Sequence, residues 1–261
     1  MENQESGTQT ESKLQQFFWE LADTTRFAGR LIQVTFRGHF EWAEFRRQCY
    51  VIGLKTLGLI GITTFIMGLV LTIQTRPVMA DLGADAWVPG VIMVAIIREI
   101  SPVIGALIFA GKVGSGIGAE LGSMRVTDQI DAMEVSGTNP MKYLVATRVL
   151  ATTLMVPILV FYGDGVAFFG SFAGMNIGYS ISLKLFLTQA LDQLFYFDVI
   201  PATIKTFFFG FAIGVISCYK GYYTTGGTQG VGSAANTAVV ISSVVIFILD
   251  LIAAQITQIL T

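Results

Sequence analysis

The sequence predicts an all-α integral membrane protein, with an N-terminal interfacial helix, about five transmembrane helices, and a short cytoplasmic helix between the second and the third. Three observations predict this fold. Hydrophobic residues make up 53% of the chain and charged residues only 13%, whereas about one quarter of a soluble domain is charged. Five apolar runs are each long enough to cross a bilayer. An amphipathic, aromatic-rich segment precedes the first of them.

The N-terminal region divides into a polar tail and an amphipathic segment. Residues 1–12 are expected to be a disordered tail, because they are polar and acidic and lack the basic and apolar regions of a signal peptide. Residues 13–49 interleave arginines with tryptophan and phenylalanine, a mixture that suits the headgroup zone of a membrane. We expect an interfacial helix here. The alternative is an ordinary amphipathic helix packed on its own protein. The same mixture occurs in nucleic-acid-binding proteins, but the spans that follow argue against nucleic acid as a partner.

The predicted spans are Val51–Ile73, Trp87–Ala110, Tyr143–Phe169, Val199–Tyr219 and Ala235–Ile259. Pro77 is expected to break the chain after the first span, and Pro157 to interrupt the third. Residues 176–198 are of mixed polarity and are expected to fold back as a short helix at the far surface. A polar, glycine-rich loop is expected over 220–233.

The second span contains a pair of charged residues, Arg98 and Glu99. One charge at the centre of a helix costs about 2.5–3.5 kcal/mol on insertion scales. Adjacent residues point about 100° apart on a helix, so these two cannot fully neutralise each other. Pro102 lacks an N–H and so frees the carbonyl of Arg98. Such a polar cluster must face protein or a water-filled cavity. It is either a buried ion pair that fixes helix packing or part of the wall of a cavity.

A glycine ladder follows, with Gly114, Gly118 and Gly122 four residues apart. In a helix these glycines form one smooth stripe for close packing. The segment is not a phosphate-binding loop, because it lacks the Lys-Ser/Thr pair and the preceding strand.

A short polar helix is predicted from about Thr127 to Ser136. Thr127 is a suitable N-cap and Gly137 a suitable residue to follow the last turn. The helix is too short and too acidic to enter the membrane, and Ile130 and Met133 share one of its faces. It is expected to lie across the membrane surface and face a soluble partner. The alternative is a simple extramembrane turn.

The distribution of Lys and Arg predicts the orientation, because cytoplasmic loops carry an excess of both. Seven of the sixteen lie in the first 55 residues, and the N-terminus is therefore placed inside and the C-terminus outside. Lys205 and Asp250 then lie about 9 and 13 Å below the outer ends of their spans. We expect them to pair or to face a common polar space, with Asp164 as a rival partner for Lys205. If they pair, exchanging their charges should restore a function that either single change removes.

Metal and catalytic chemistry are not predicted. His39 is the single histidine, and Cys49 and Cys218 are too few for a metal cluster or a disulfide framework. The sequence also lacks a nucleotide-binding motif, so any ATP would bind to another chain.

Five groups of residues closely resemble the MlaE-type permease family, the membrane subunits of ABC transporters that work with MCE proteins. The resemblance covers about residues 14–260 and rests on the ordered motifs Arg98–Val103, Phe109–Ser115, Ala119–Ile130, Met133-Glu134 and Asn139-Pro140.

This resemblance implies a non-catalytic permease over residues 50–261, which forms a homodimer in the bacterial inner membrane. Cytoplasmic ABC ATPase subunits, which carry the ATP and Mg²⁺, would bind segment 114–139 as a coupling helix. A periplasmic MCE-domain protein would sit outside, and the cargo would be phospholipid or a related lipid. We assign ATPase coupling to Glu120, Arg125, Asp128, Ile130, Met133 and Glu134. We assign the substrate cavity and its polar cluster to Arg98, Glu99, Pro102, Lys205 and Asp250.

The principal alternative is an ion-coupled secondary carrier in which Glu99 and Asp250 take up protons. The lack of an inverted repeat weighs against it. The lipid headgroup and the direction of transport do not follow from the sequence.

Overall fold

The computed structural model describes residues 22–35, 40–177 and 180–260, which form eight helices and no strand. The predicted tail 1–12, residues 13–21 of the interfacial segment, and His39 lie outside the described residues. The helices are α1 (22–35), α2 (Trp42–Asp81), α3 (Asp85–Val126), α4 (Gln129–Val135), α5 (Met141–Asn176), α6 (Leu183–Leu191), α7 (Tyr196–Tyr222) and α8 (Gly227–Leu260).

Five of these helices, α2, α3, α5, α7 and α8, are long and apolar enough to cross a membrane, which confirms the predicted fold class. Each extends beyond its predicted span, because the apolar run marks only the part inside the bilayer. The difference is greatest for α3, whose 42 residues span about 63 Å and therefore project well beyond a hydrocarbon core of about 30 Å.

Several predicted helix boundaries are wrong. Pro77 and Pro157 lie inside α2 and α5 and end neither helix. Neighbouring helices make such prolines tolerable in a membrane bundle. The loop predicted over 220–233 is only four residues long, 223–226. Gly226 and Gly227 have positive φ angles of 87° and 66°, which allow the chain to reverse its direction within this short loop.

The described residues of the N-terminal segment belong to two elements. The amphipathic helix α1 buries Phe27 and Leu31 against the bundle. Residues 42–49 belong to the first turns of α2, not to a separate interfacial helix. The boundary is missed because Trp42 and Phe45 are as compatible with the membrane surface as with the end of a span.

Helix α5 lies at the centre of the bundle. In its most apolar 18-residue stretch 67% of the residues are buried, against 17% for α8 at the edge. Glycines allow this close packing, since a Cβ added to Gly170 of α5 would overlap the Phe65 carbonyl group of α2.

Wide π-helical turns interrupt the regular geometry of two spans. They cover Ile96–Ile100 and Ala110–Gly114 in α3 and Met141–Ala146 in α5. The first contains the Arg98-Glu99 step and ends two residues before Pro102, which cannot donate a backbone hydrogen bond. Such turns are frequent at functional sites.

Candidate functional site

One ammonium group joins three spanning helices. Lys205 Nζ of α7 donates to Glu99 Oε2 of α3 at 2.7 Å and to Asp250 Oδ1 of α8 at 2.8 Å. The Lys205 side chain is only 6% exposed. The structure thus brings together the two residues paired by the depth argument and adds Glu99, which the argument did not include. We call Lys205, Glu99 and Asp250 the lysine triad.

A second ion pair lies beside the triad. Arg98 Nη1 is 3.5 Å from Asp198 Oδ1 at the start of α7. The other oxygen of Asp198 accepts a hydrogen bond from the backbone N–H of Phe195 at 2.9 Å, which fixes the carboxylate at the first turn. Adjacent Arg98 and Glu99 therefore each find a partner on α7. The sequence analysis missed Asp198, because it lies at the margin of an apolar run.

The charges of this region are nearly balanced. Two cations, Lys205 and Arg98, face three carboxylates, those of Glu99, Asp250 and Asp198. The excess is one formal negative charge. Paired charges of this kind are tolerated inside a membrane bundle, where single ones are not.

Asp164 does not join the triad, so the rival pairing with Lys205 is not formed. It lines a different and very narrow cavity, of about 10 Å³, together with Pro102 and Pro157. One of its carboxylate oxygens is buried without a hydrogen-bond partner in the described part of the chain. Pro102 therefore lies on the side of α3 that faces α5, not among the charges.

An apolar groove of about 420 Å³ opens beside the lysine triad, between α7 and α8. Lys205 lies at its polar end and also lines the adjoining smaller pocket with Arg98, Glu99 and Asp198. The apolar groove is lined by Phe197, Ile200, Pro201, Ile204, Lys205, Phe208, Leu249, Ile252, Ala253, Ile256 and Thr257. An apolar wall that ends in charged groups matches the chemistry of a molecule with an acyl chain and a polar head.

The glycine ladder lies inside α3, where it faces α7, α8 and the turn between them. A Cβ at Gly114 would meet the Ser217 hydroxyl at 2.9 Å. At Gly118 it would meet Ala235 Cα at 3.3 Å, and at Gly122 the Thr224 hydroxyl at 3.0 Å. Small residues at these positions let α3 approach its neighbours closely.

The joint between α3 and α4 is formed by Asp128 rather than by Thr127. Asp128 adopts a left-handed conformation with φ of 56°, which Asp tolerates better than most residues. The predicted N-cap role of Thr127 is wrong, since its hydroxyl donates to the Ser123 carbonyl at 2.8 Å and so belongs to the end of α3.

The other end of α4 agrees with the sequence. Gly137 has a φ of 81°. Its N–H donates to the Glu134 carbonyl at 3.0 Å, and that of Thr138 donates to the Met133 carbonyl at 3.0 Å. This pair of bonds is the Schellman motif, which ends a helix at a glycine.

Helix α4 has one face that packs against the bundle and one that is exposed. Ile130 is fully buried and Met133 packs against the core, so these residues hold α4 on the bundle and do not face a partner. The coupling role assigned to both therefore depends on how they hold α4 on the bundle and not on contact with an ATPase, and it stays a prediction. The outward surface carries Asp128, Asp131, Glu134 and Val135, and Val135 is 90% exposed.

The remaining coupling candidates form contacts within the chain. Arg125 pairs with Asp131, and Glu134 accepts a hydrogen bond from the Tyr222 hydroxyl at 3.3 Å. These bonds fasten α4 to α3 and α7.

Glu120 of α3 is bound to α5. Its Oε1 lies 2.9 Å from Nη2 of Arg148, whose side chain is 1% exposed. Arg148 also donates to the Leu144 carbonyl at 3.0 Å. The sequence analysis does not identify Arg148 as a buried residue, although its position within an apolar run was a signal of burial.

Among the described residues, no group of three or more His, Cys, Asp or Glu side chains could hold a metal ion. The charged clusters described above are ion pairs between cations and carboxylates.

Comparison with known proteins gives a consistent result. Residues 45–256 match the family described as Permease MlaE. A probable ABC transporter permease protein of Rickettsia typhi is 39% identical over 77% of this chain and 78% of its own length. The chloroplastic protein TRIGALACTOSYLDIACYLGLYCEROL 1 of Arabidopsis thaliana is 36% identical over 90% of this chain and 67% of its own length. A probable ABC transporter permease protein of Synechocystis is 34% identical over 89% of this chain and 88% of its own length.

Proposed function

The chain belongs to the MlaE family of ABC transporter permeases, and we propose that it moves phospholipids or related lipids between the inner and outer membranes of a bacterial cell. The lysine triad at the polar end of the groove between α7 and α8 carries this proposal. The name of the Arabidopsis relative contains that of a galactolipid, which supports a lipid as cargo.

The groove has an apolar surface that can bind acyl chains and a charged end that can bind a headgroup. Phe208, Leu249 and Ile252 line its apolar part and provide contacts for acyl chains. Lys205 lies at its charged end, where an ammonium group attracts the phosphate of a headgroup. Because Lys205 contacts two carboxylates, a headgroup phosphate competes with Glu99 and Asp250 for its donors. Binding would therefore loosen the link between α3 and α8.

Energy comes from a partner ATPase, which carries the ATP and Mg²⁺. We place its contact on the outward face of α4, where an acidic surface surrounds the exposed Val135. Ile130 transmits a push on this face, because it anchors α4 in the core. The Glu120–Arg148 pair carries the same displacement from α3 to α5.

The proposed transporter contains more than one copy of this chain and a further protein outside the membrane. Two copies of the chain form the membrane core, and a periplasmic MCE-domain protein receives or delivers the lipid. The poorly covered α8 offers a surface for the second copy, since few residues of its apolar stretch are buried in one chain. The N-terminus and α4 lie on the cytoplasmic side.

Reconstitution tests the function directly. The chain is placed in liposomes with its ATPase partner, and movement of a fluorescent phospholipid is followed with and without ATP. We expect transport only with ATP and the ATPase. Transport by the permease alone, driven by a proton gradient, would instead assign the chain to the ion-coupled carriers that use Glu99 and Asp250.

The coupling surface has its own test. Asp128→Asn removes a charge and keeps a residue that tolerates the left-handed conformation, and Val135→Ser removes the exposed apolar contact. The double variant should bind the ATPase weakly and lose transport while its melting temperature is unchanged. Asp192→Asn, an exposed aspartate at the end of α6, is the matched control. Normal transport by the double variant would show that the ATPase binds elsewhere.

Cysteine labelling tests the orientation. In a background with Cys49→Ser, Val135→Cys should react with an impermeant reagent only from the cytoplasmic side. Tyr196→Cys, at the exposed start of α7, should react only from the periplasmic side. The reverse pattern would invert the topology without affecting the family assignment.

A further inference from the structure

A cavity of about 360 Å³ lies between α1 and the last turns of α7, far from the lysine triad. Its size falls within the range of about 300–1,000 Å³ that is usual for ligand sites. It is lined by Asp23, Arg26, Phe27, Arg30, Tyr219 and Tyr223. We call it the α1–α7 cavity.

The cavity carries a positive charge. Arg26 and Arg30 are four residues apart on α1, so both extend from the same face of the helix. Asp23 Oδ1 lies 3.2 Å from Arg26 Nη1 and offsets one of the two charges. The lining residues thus have a formal excess of one positive charge.

The opposite wall is aromatic. Tyr219 lies in the last turn of α7, and Tyr223 directly follows the end of this helix. The buried ring of Phe27 packs edge-on against both, with centroid distances of 5.6 and 5.9 Å. These contacts fix the tyrosine rings, so the wall is formed before any ligand binds.

The cavity lies at one surface of the membrane. Tyr219 is fourteen residues after Lys205 in α7, which corresponds to about 21 Å along the helix. Tyrosines and arginines at the end of a span lie at the level of lipid headgroups. A ligand at this depth meets arginine guanidinium groups and tyrosine hydroxyls together.

We propose that the α1–α7 cavity binds a phosphate-bearing anion, either the headgroup of an anionic lipid at this surface or a free phosphate. Arginines bind phosphate oxygens through their planar, multiple N–H donors. The bound anion joins α1 to α7 and so fixes the N-terminal helix on the bundle. The site is separate from the transport groove, and its existence does not depend on the cargo.

The test uses the full chain in a neutral detergent, with thermal unfolding followed during titration with dioctanoyl phosphatidylglycerol. Dioctanoyl phosphatidylcholine and inorganic phosphate are titrated in parallel. We expect phosphatidylglycerol to raise the melting temperature at lower concentration than phosphatidylcholine. Arg30→Gln should weaken its apparent affinity about fivefold, and Arg26→Gln with Arg30→Gln about 25-fold. A stronger effect of inorganic phosphate would identify the ligand as the free anion.

Two controls keep the test decisive. Arg46→Gln removes an exposed arginine of α2 that does not line the cavity and should change the affinity less than twofold. If the double variant unfolds on its own, Tyr223→Leu replaces it and should also weaken binding. Equal affinity for the two lipids with no response to phosphate, or an equal loss in Arg46→Gln, would overturn the proposal.

Discussion

Replacing Lys205 with methionine removes the cation that both Glu99 and Asp250 contact, and it should lower stability strongly. Removing one partner of a buried ion pair costs about 3–5 kcal/mol, because the other charge remains without compensation. Glu99 is 49% exposed and can recover water, whereas Asp250 is 20% exposed. We therefore expect a loss at the lower end, about 3 kcal/mol. For a chain of this size that is a fall of about 6–12 °C in melting temperature.

The unequal exposure of the two carboxylates gives a sharper test. In the Lys205→Met background, Asp250→Asn removes the more buried of the two charges and should restore most of the lost stability. Glu99→Gln should restore less. The measurement is thermal unfolding of the purified variants in one detergent, monitored by tryptophan fluorescence. Equal rescue, or better rescue by Glu99→Gln, would refute the view that desolvation of Asp250 dominates the cost.

The triad also changes the expected outcome of a charge exchange. If Lys205 and Asp250 formed an isolated pair, Lys205→Asp combined with Asp250→Lys would restore the interaction. Because Lys205 also contacts Glu99, the exchange places a new carboxylate beside Glu99. We expect only partial recovery of stability and of lipid transport. Full recovery would show that Glu99 contributes little.

Three further predictions concern helix packing, the end of α4, and the Glu120–Arg148 pair. Gly170→Ala should destabilise the protein by about 1–3 kcal/mol in a thermal unfolding assay, because the added Cβ would overlap the backbone of α2. The control is Gly165→Ala on the same helix, whose Cβ would meet open space and which should be nearly neutral. Gly137→Ala should cost about 1–2 kcal/mol, since its positive φ disfavours a side chain, and equal melting temperatures for this variant and wild type would contradict that view. Glu120→Gln leaves the buried guanidinium of Arg148 without its anion. ATP hydrolysis should then continue with reduced lipid transport, and an unchanged ratio of transport to hydrolysis would exclude a coupling role for this pair.

The spans and the principal charges could be predicted because they rest on strong, local signals. A long apolar run has few alternatives to a membrane helix, and two charged residues within one must find partners. The shared depth of Lys205 and Asp250 follows from helix rise and topology alone. The third partner, Glu99, does not follow from depth, since its approach depends on how α3 turns about its axis.

The remaining details depend on tertiary contacts. The sequence places Ile130 and Met133 on one face of a short surface helix, but that helix has two possible orientations, with this face toward the bundle or toward a partner. The burial of Ile130 against the bundle decides between these two orientations, and no local sequence pattern shows which face of the helix will be buried. Arg148 was missed for the converse reason, because a positive-inside count treats every cation at the membrane boundary as solvated.

The wide turn at Ile96–Ile100 has a consequence for how Arg98 and Glu99 could change partners. A π-helical turn contains one residue more than a regular α-helical turn. The position of this extra residue can shift along the helix while the helix stays continuous. Displacement by a single position would swing the intervening side chains by about 100°. Glu99 would then release Lys205 and point toward another neighbour, while both ends of α3 stayed where they are.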